Sequence, residues 1–172
     1  MEPEQAITDE VKRQPWLLRV LLDTRIPMHR YIVRTGLISF VPSLAIAFVL
    51  ATSGIITGDT GPHFEGSALE LIVMIVVVGP PIETLLMVCV LWVLSFITKR
   101  RVRLAVMSAF VWAALHSLVA PAWGLGVLWP FFVFSCSYLA WRQRARWRAI
   151  LVTSCVHAFQ NVLPAIVAAA NQ

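Results

Sequence analysis

The sequence predicts an all-α membrane protein: a bundle of about five transmembrane helices, one of them long and kinked, preceded by an amphipathic helix lying on the membrane surface. Three observations predict it. Of the 172 residues, 59% are hydrophobic and only 13% are charged, and the mean hydropathy is +0.78, too apolar for a soluble domain. The apolar residues fall into long runs. The Lys and Arg residues cluster at the ends of those runs, as charges beside a membrane do, so the net charge of +5 points to anionic lipid at basic loops and not to nucleic acid.

This pattern divides the chain into two regions, 1–34 and 35–172. The opening stretch, Met1 to Glu10, carries four acidic residues and no basic n-region, so it is expected to be a disordered lead-in and not a cleavable signal peptide. From Gln14 to Arg34, apolar Trp16, Leu17, Leu18, Val20, Leu21 and Leu22 alternate with Arg19, Arg25, Arg30 and Arg34. That basic amphipathic pattern is expected to lie on an anionic membrane face, interrupted at Pro27.

The first span is expected over Gly36 to Ile56, followed by a polar loop, Thr57 to Gly66, with Asp59 and Glu65 but no Lys or Arg. The second apolar run, Ser67 to Thr98, would reach roughly 48 Å as a helix, against a hydrocarbon core of roughly 30 Å. It is therefore one long kinked pass or two short pieces. A third span is expected over Leu104 to about Ala122, an uncharged turn around Pro121 to Gly126, a fourth from about Val127 to Trp141, and a fifth from about Ala149 to Ala169. Charge parity decides the second run. The amphipathic arm, Lys99 to Arg103 and Arg142 to Arg148 share one side only if Ser67 to Thr98 crosses once, bent at Gly79 to Pro81. The expected topology is N-terminus in and C-terminus out, and the short chain without targeting segments points to a bacterial cytoplasmic membrane. Cys89, Cys136 and Cys155 lie in apolar runs without metal-like spacing and read as small buried hydrophobes.

One charge interrupts this plan. Glu83 is the only charged residue between Leu71 and Thr98, and a carboxylate in hydrocarbon is costly unless neutralised, paired or facing water. Gly79, Pro80 and Pro81 precede it; two prolines remove two backbone donors and break or kink a helix, which would put Glu83 in the first turn of the next helical segment. The bland alternative makes Glu83, with Thr84 beside it, a helix cap favoured by the macrodipole.

Two histidines, His116 and His157, lie well inside expected spans, while His29 and His63 fall in polar flanks. Trp112 precedes His116 by four residues and Asn161 follows His157 by four, so each pair shares a helix face. At 1.5 Å per residue, Glu83 lies about 24 Å from its basic end, His116 and Asn161 about 20 Å, and His157 about 14 Å. The four can therefore occupy one layer. As chemistry the set is coherent: a carboxylate base for water, an imidazole to orient that water and pass a proton to a leaving amine, and a second imidazole with an amide to bind an oxyanion. The ordinary alternative is polar groups bonding between helices, which is also how Ser117, Ser135 and Ser154 read.

The stretches PPIETLL (Pro80 to Leu86), FVWAALHSL (Phe110 to Leu118) and CVHAFQNVL (Cys155 to Leu163) resemble the three motifs of the CPBP family, the CAAX prenyl protease and bacteriocin-processing group of intramembrane glutamic proteases. The resemblance covers roughly Ser67 to Ala169. It implies a peptidase without metal or other cofactor, in which Glu83 and His116 activate water, His157 and Asn161 hold the oxyanion, and Thr84 and Trp112 support them. It also implies a peptide or membrane-anchored protein as substrate. Thr84 stands where the family has a second glutamate and Val88 where it has an arginine, so the first motif is half present. Three other readings stay open. One is a non-catalytic scaffold, such as an immunity or assembly factor. Another is a zinc hydrolase with Glu83, His116 and His157 as ligands. The third is a transporter built on a broken helix.

Overall fold

The computed structural model describes residues 15–56 and 64–172; the acidic lead-in and most of the loop after the first span lie outside the described residues. Among the described residues six helices succeed one another: α1 (Trp16–Leu22), α2 (Met28–Thr52), α3 (Ala68–Leu94), α4 (Arg101–Val119), α5 (Trp123–Trp141) and α6 (Arg146–Ala170). Among the described residues there is no strand. Helices α2 to α6 are each long and apolar enough to cross a membrane. This is an all-α membrane bundle.

Helix α5 is the axis of the bundle. Of its most apolar stretch 61% is buried, against 22% for α3, because α5 packs on each of the other described helices. Its Phe131, Phe134 and Leu139 meet Met87 and Leu91 of α3, Leu104 and Trp112 of α4 and Val152 and Val156 of α6 in one core. The remaining helices turn large apolar side chains outward, among them Phe48, Trp92, Phe96, Phe110 and Leu118, as helices solvated by lipid do. Helices α4 and α5 are joined by a turn of three residues. They approach so closely that a Cβ at Gly124 would collide with Ser117 Oγ and the Ala113 carbonyl.

Several boundaries differ from the sequence reading. The first span begins at Met28, immediately after Pro27, so residues 28–34 belong to α2 and only seven residues form α1. Proline at that point fixes the extended backbone from which α2 starts. Helix α1 is docked as well as amphipathic: Leu21 is fully buried. Its terminal carbonyls, which have no intrahelical donor, accept from α2. Tyr31 Oη donates to Leu21 O at 2.6 Å, and Arg34 Nη2 donates to Val20 O at 2.6 Å and Asp23 O at 3.2 Å. The turn expected up to Gly126 is shorter, since Gly124 and Gly126 are already helical in α5. Cys89 is exposed on the outer face of α3, not buried, whereas Cys136 is buried; all three cysteines are free.

The second apolar run crosses once. Helix α3 is continuous through Gly79-Pro80-Pro81, and the distortion falls just upstream as a π-helical segment, Val73–Val78. Because Pro80 and Pro81 carry no N–H, the α pattern cannot be maintained there, and the Gly79 N–H reaches back five residues to Met74 O. Glycine is required at that point, since a Cβ would sit 2.9 Å from Met74 O. The wider turn leaves Ile75 O without a donor in its own helix, for Gly79 is engaged and Pro80 has nothing to give. Asn161 Nδ2 on α6 donates to it at 3.0 Å. A parallel case occurs in α2, where Pro42 leaves Ile38 O unpaired and Trp129 Nε1 of α5 donates to it at 2.9 Å.

Five successive crossings put the Lys99–Arg103 and Arg142–Arg148 loops at the end where α2 begins. Arg144 Nε donates to Thr24 Oγ1 there at 3.2 Å.

Candidate active site

Glu83 is the fifth residue of the α-helical part of α3, and the first turn of that part holds no acidic residue. The cap reading therefore loses its basis. The capping box at the head of α3 is Ser67 with Glu70: Ser67 Oγ accepts from the Glu70 N–H while the Glu70 carboxylate accepts from Ser67. Its signal in the sequence is serine with glutamate three residues later.

Three helices bring their polar side chains to one point. Glu83 Oε2 lies 4.0 Å from His116 Nε2 on α4 and 3.8 Å from His157 Nε2 on α6. The side chains are 31%, 11% and 5% exposed respectively, so the carboxylate is the member with an outlet and the imidazoles form the back wall. Both separations are too long for a direct hydrogen bond. They suit a water molecule held at about 2.8 Å from each group.

The imidazoles are held by aromatic packing. His116 Nδ1 lies 2.8 Å from Trp112 O; a carbonyl only accepts, so Nδ1 carries the proton and Nε2 faces the carboxylate. Trp112 is buried and stacks on Phe131 at 4.5 Å with the rings 4° apart, Trp123 meets His116 edge-on at 4.6 Å, and Phe134 stacks on His157 at 4.4 Å. Thr84 is buried beside Glu83, and no partner is seen for its hydroxyl. Sequence reasoning did not single out Trp123, Phe131 or Phe134. Their only signal is an aromatic-rich stretch around Pro130, which lipid-facing helices also show.

Beside this cluster lies a cavity of about 590 Å³ walled by Phe64, Glu70, Met74, Gly79, Trp123 and Asn161, with Glu83 at its inner end. Its size is that of a ligand pocket. Asn161 thus shares a wall with Glu83, one amide hydrogen committed to Ile75 O and the second uncommitted. Among the described residues no three His, Cys, Asp or Glu side chains are disposed to hold a metal ion.

The fold and this site together define a class, a polytopic helical membrane protein with a carboxylate and two imidazoles gathered within the bundle. No known protein family, curated protein or solved structure matches the chain.

Proposed function

We propose that the protein is an intramembrane peptidase of the CPBP type that hydrolyses a peptide bond with water activated by Glu83. The observation that carries this reading is the approach of Glu83 Oε2 to within 4.0 Å of two imidazole nitrogens from two other helices, beside a cavity large enough for a peptide segment.

Water held between Glu83 Oε2 and His116 Nε2 gives its proton to the carboxylate as its oxygen attacks the scissile carbonyl carbon. The carbonyl oxygen becomes an oxyanion, for which His157 Nε2–H and the second amide hydrogen of Asn161 are the donors. When the C–N bond breaks, the proton taken by Glu83 passes, directly or through His116, to the leaving amine. The peptide ends as a carboxylate and an amine, and Glu83 is restored. The role of Trp112 is to hold His116 in one tautomer through its carbonyl. Thr84, buried, stands where the family pattern has a second acid.

The membrane is proposed to be a bacterial cytoplasmic membrane, with the three basic clusters on the cytoplasmic side against anionic lipid and the C-terminus outside. Purified protein in detergent should cleave members of a quenched-fluorescence peptide library, and Glu83→Gln should abolish cleavage while leaving the fold intact. Full activity in that variant overturns the base assignment.

A second reading, a peptide-binding scaffold without catalysis, is favoured by Thr84 and Val88, which leave Glu83 without the charged pair of the family pattern. Function in cells that survives both Glu83→Ala and His116→Ala would establish it. The zinc reading requires about one bound metal per chain and loss of activity on chelation.

A further inference from the structure

The residues walling the cavity beside Glu83 lie towards one end of the bundle, and the charged side chains described there are all acidic. Its walls come from the segment before α3, the part of α3 up to Glu83, the first residue of α5 and the distal half of α6. All of these belong to the end opposite the basic loops. All fourteen Lys and Arg residues fall before residue 35, within 99–103 or within 142–148. Among the described residues, none is therefore at the cavity end. The charged side chains lining the cavity are Glu65, Glu70 and Glu83. Glu65 and Glu70 are exposed at the mouth and Glu83 lies at the inner end. The Glu70 carboxylate is fixed in place through one oxygen, which accepts from Ser67 N and Ser67 Oγ at 2.8 Å each. Apart from the Asn161 amide, the wall between these acids is apolar, made of Phe64, Leu71, Met74, Ile75 and Trp123.

We propose that this cavity takes its ligand from the extracytoplasmic side, and that the ligand is a peptide segment carrying Lys or Arg next to apolar residues. The apolar wall receives the hydrophobic side chains. Glu65 and Glu70 attract the cationic ones at the entrance, while peptides rich in Asp or Glu are repelled there. That the peptide is also a substrate rests on the peptidase reading; the binding site and its charge preference stand without it.

The test uses the full chain carrying Glu83→Gln, so that bound peptide is not consumed, in nanodiscs of zwitterionic lipid. Two fluorescent peptides of one length, one with two lysines and the other with two glutamines among Ala and Leu, are titrated at low salt. The lysine peptide should bind about fivefold more tightly, as expected for ion pairs at an exposed mouth, and the preference should shrink at high salt. Glu65→Gln together with Glu70→Gln should remove it; glutamine at position 70 keeps the capping box, so the variant retains the start of α3. In sealed vesicles, a membrane-impermeant photoreactive form of the lysine peptide should label the protein only from the face opposite the basic loops. Equal affinities, a preference that survives the double substitution, or labelling from the basic face alone would each overturn the proposal. Tight, charge-selective binding without cleavage by the unsubstituted protein would leave this inference standing and defeat the peptidase reading. Cleavage without charge preference would do the reverse.

Discussion

Replacing Asn161 with leucine should destabilise the bundle through a single carbonyl, and a second substitution should relieve most of the effect. Asn161 Nδ2 donates to Ile75 O at 3.0 Å. That oxygen has no other source of a proton, because Gly79 N–H is directed to Met74 O and Pro80 has no N–H. A neutral hydrogen bond lost from a buried partner costs about 1–3 kcal/mol, whereas interhelical bonds in membranes average about 0.6 kcal/mol. Both residues are half-buried, which places the expected loss near 1 kcal/mol, about a fivefold change in the unfolding equilibrium. Pro80→Ala returns an N–H five residues after Ile75. In that background Asn161→Leu should cost no more than about 0.3 kcal/mol, the scatter of independent sites. Unfolding in mixed micelles by increasing SDS, followed by tryptophan fluorescence, measures all four corners of the cycle. Equal losses in the two backgrounds would show that Asn161 acts through something other than the carbonyl orphaned by Pro80.

Three further outcomes are expected. Gly124→Val forces α4 and α5 apart at Ser117 and the Ala113 carbonyl; overpacking against backbone costs about 1–3 kcal/mol or more, and the same SDS titration should show the largest loss of any single variant named. Tyr31→Phe leaves Leu21 O of α1 without its donor, a loss of about 1–2 kcal/mol, and hydrogen exchange should show α1 released while α4 and α5 keep their protection. Gly79→Ala sets a methyl group 2.9 Å from Met74 O and towards the Glu83 carboxylate, so the π turn must shift. The cleavage proposed for this site should fall at least tenfold even though Glu83, His116 and His157 are untouched, and unchanged rates would show that the π turn does not position the acid.

The number of crossings and the three polar positions were legible in the sequence for a common reason: in lipid, charge and polarity are costly enough that their placement carries information. The single acidic residue of a long apolar run and two intramembrane histidines meet within 4.0 Å. The basic clusters also gave the single crossing of α3. What was not legible depends on hydrogen bonds between helices. Gly-Pro-Pro announces missing donors, but nothing in the local sequence says whether the helix breaks or widens into a π turn, nor that the carbonyl left over is met by Asn161, 86 residues after Ile75. The docking of α1 was hidden likewise, because Arg34 reads as a surface charge until its guanidinium is seen against Val20 O. The aromatic wall of Trp123, Phe131 and Phe134 was hidden by composition, since apolar side chains serve lipid-facing and core-facing surfaces alike.

The convergence of Glu83, His116 and His157 is tested most directly by the imidazole ¹⁵N resonances of the protein in bilayers, compared with those of Glu83→Gln. Expected are a protonated Nδ1 on His116, displacement of the Nε2 signals of both His116 and His157 on loss of the carboxylate, and an unchanged His29. If Glu83→Gln left both intramembrane histidines where they were, the acid and the imidazoles would not share a site.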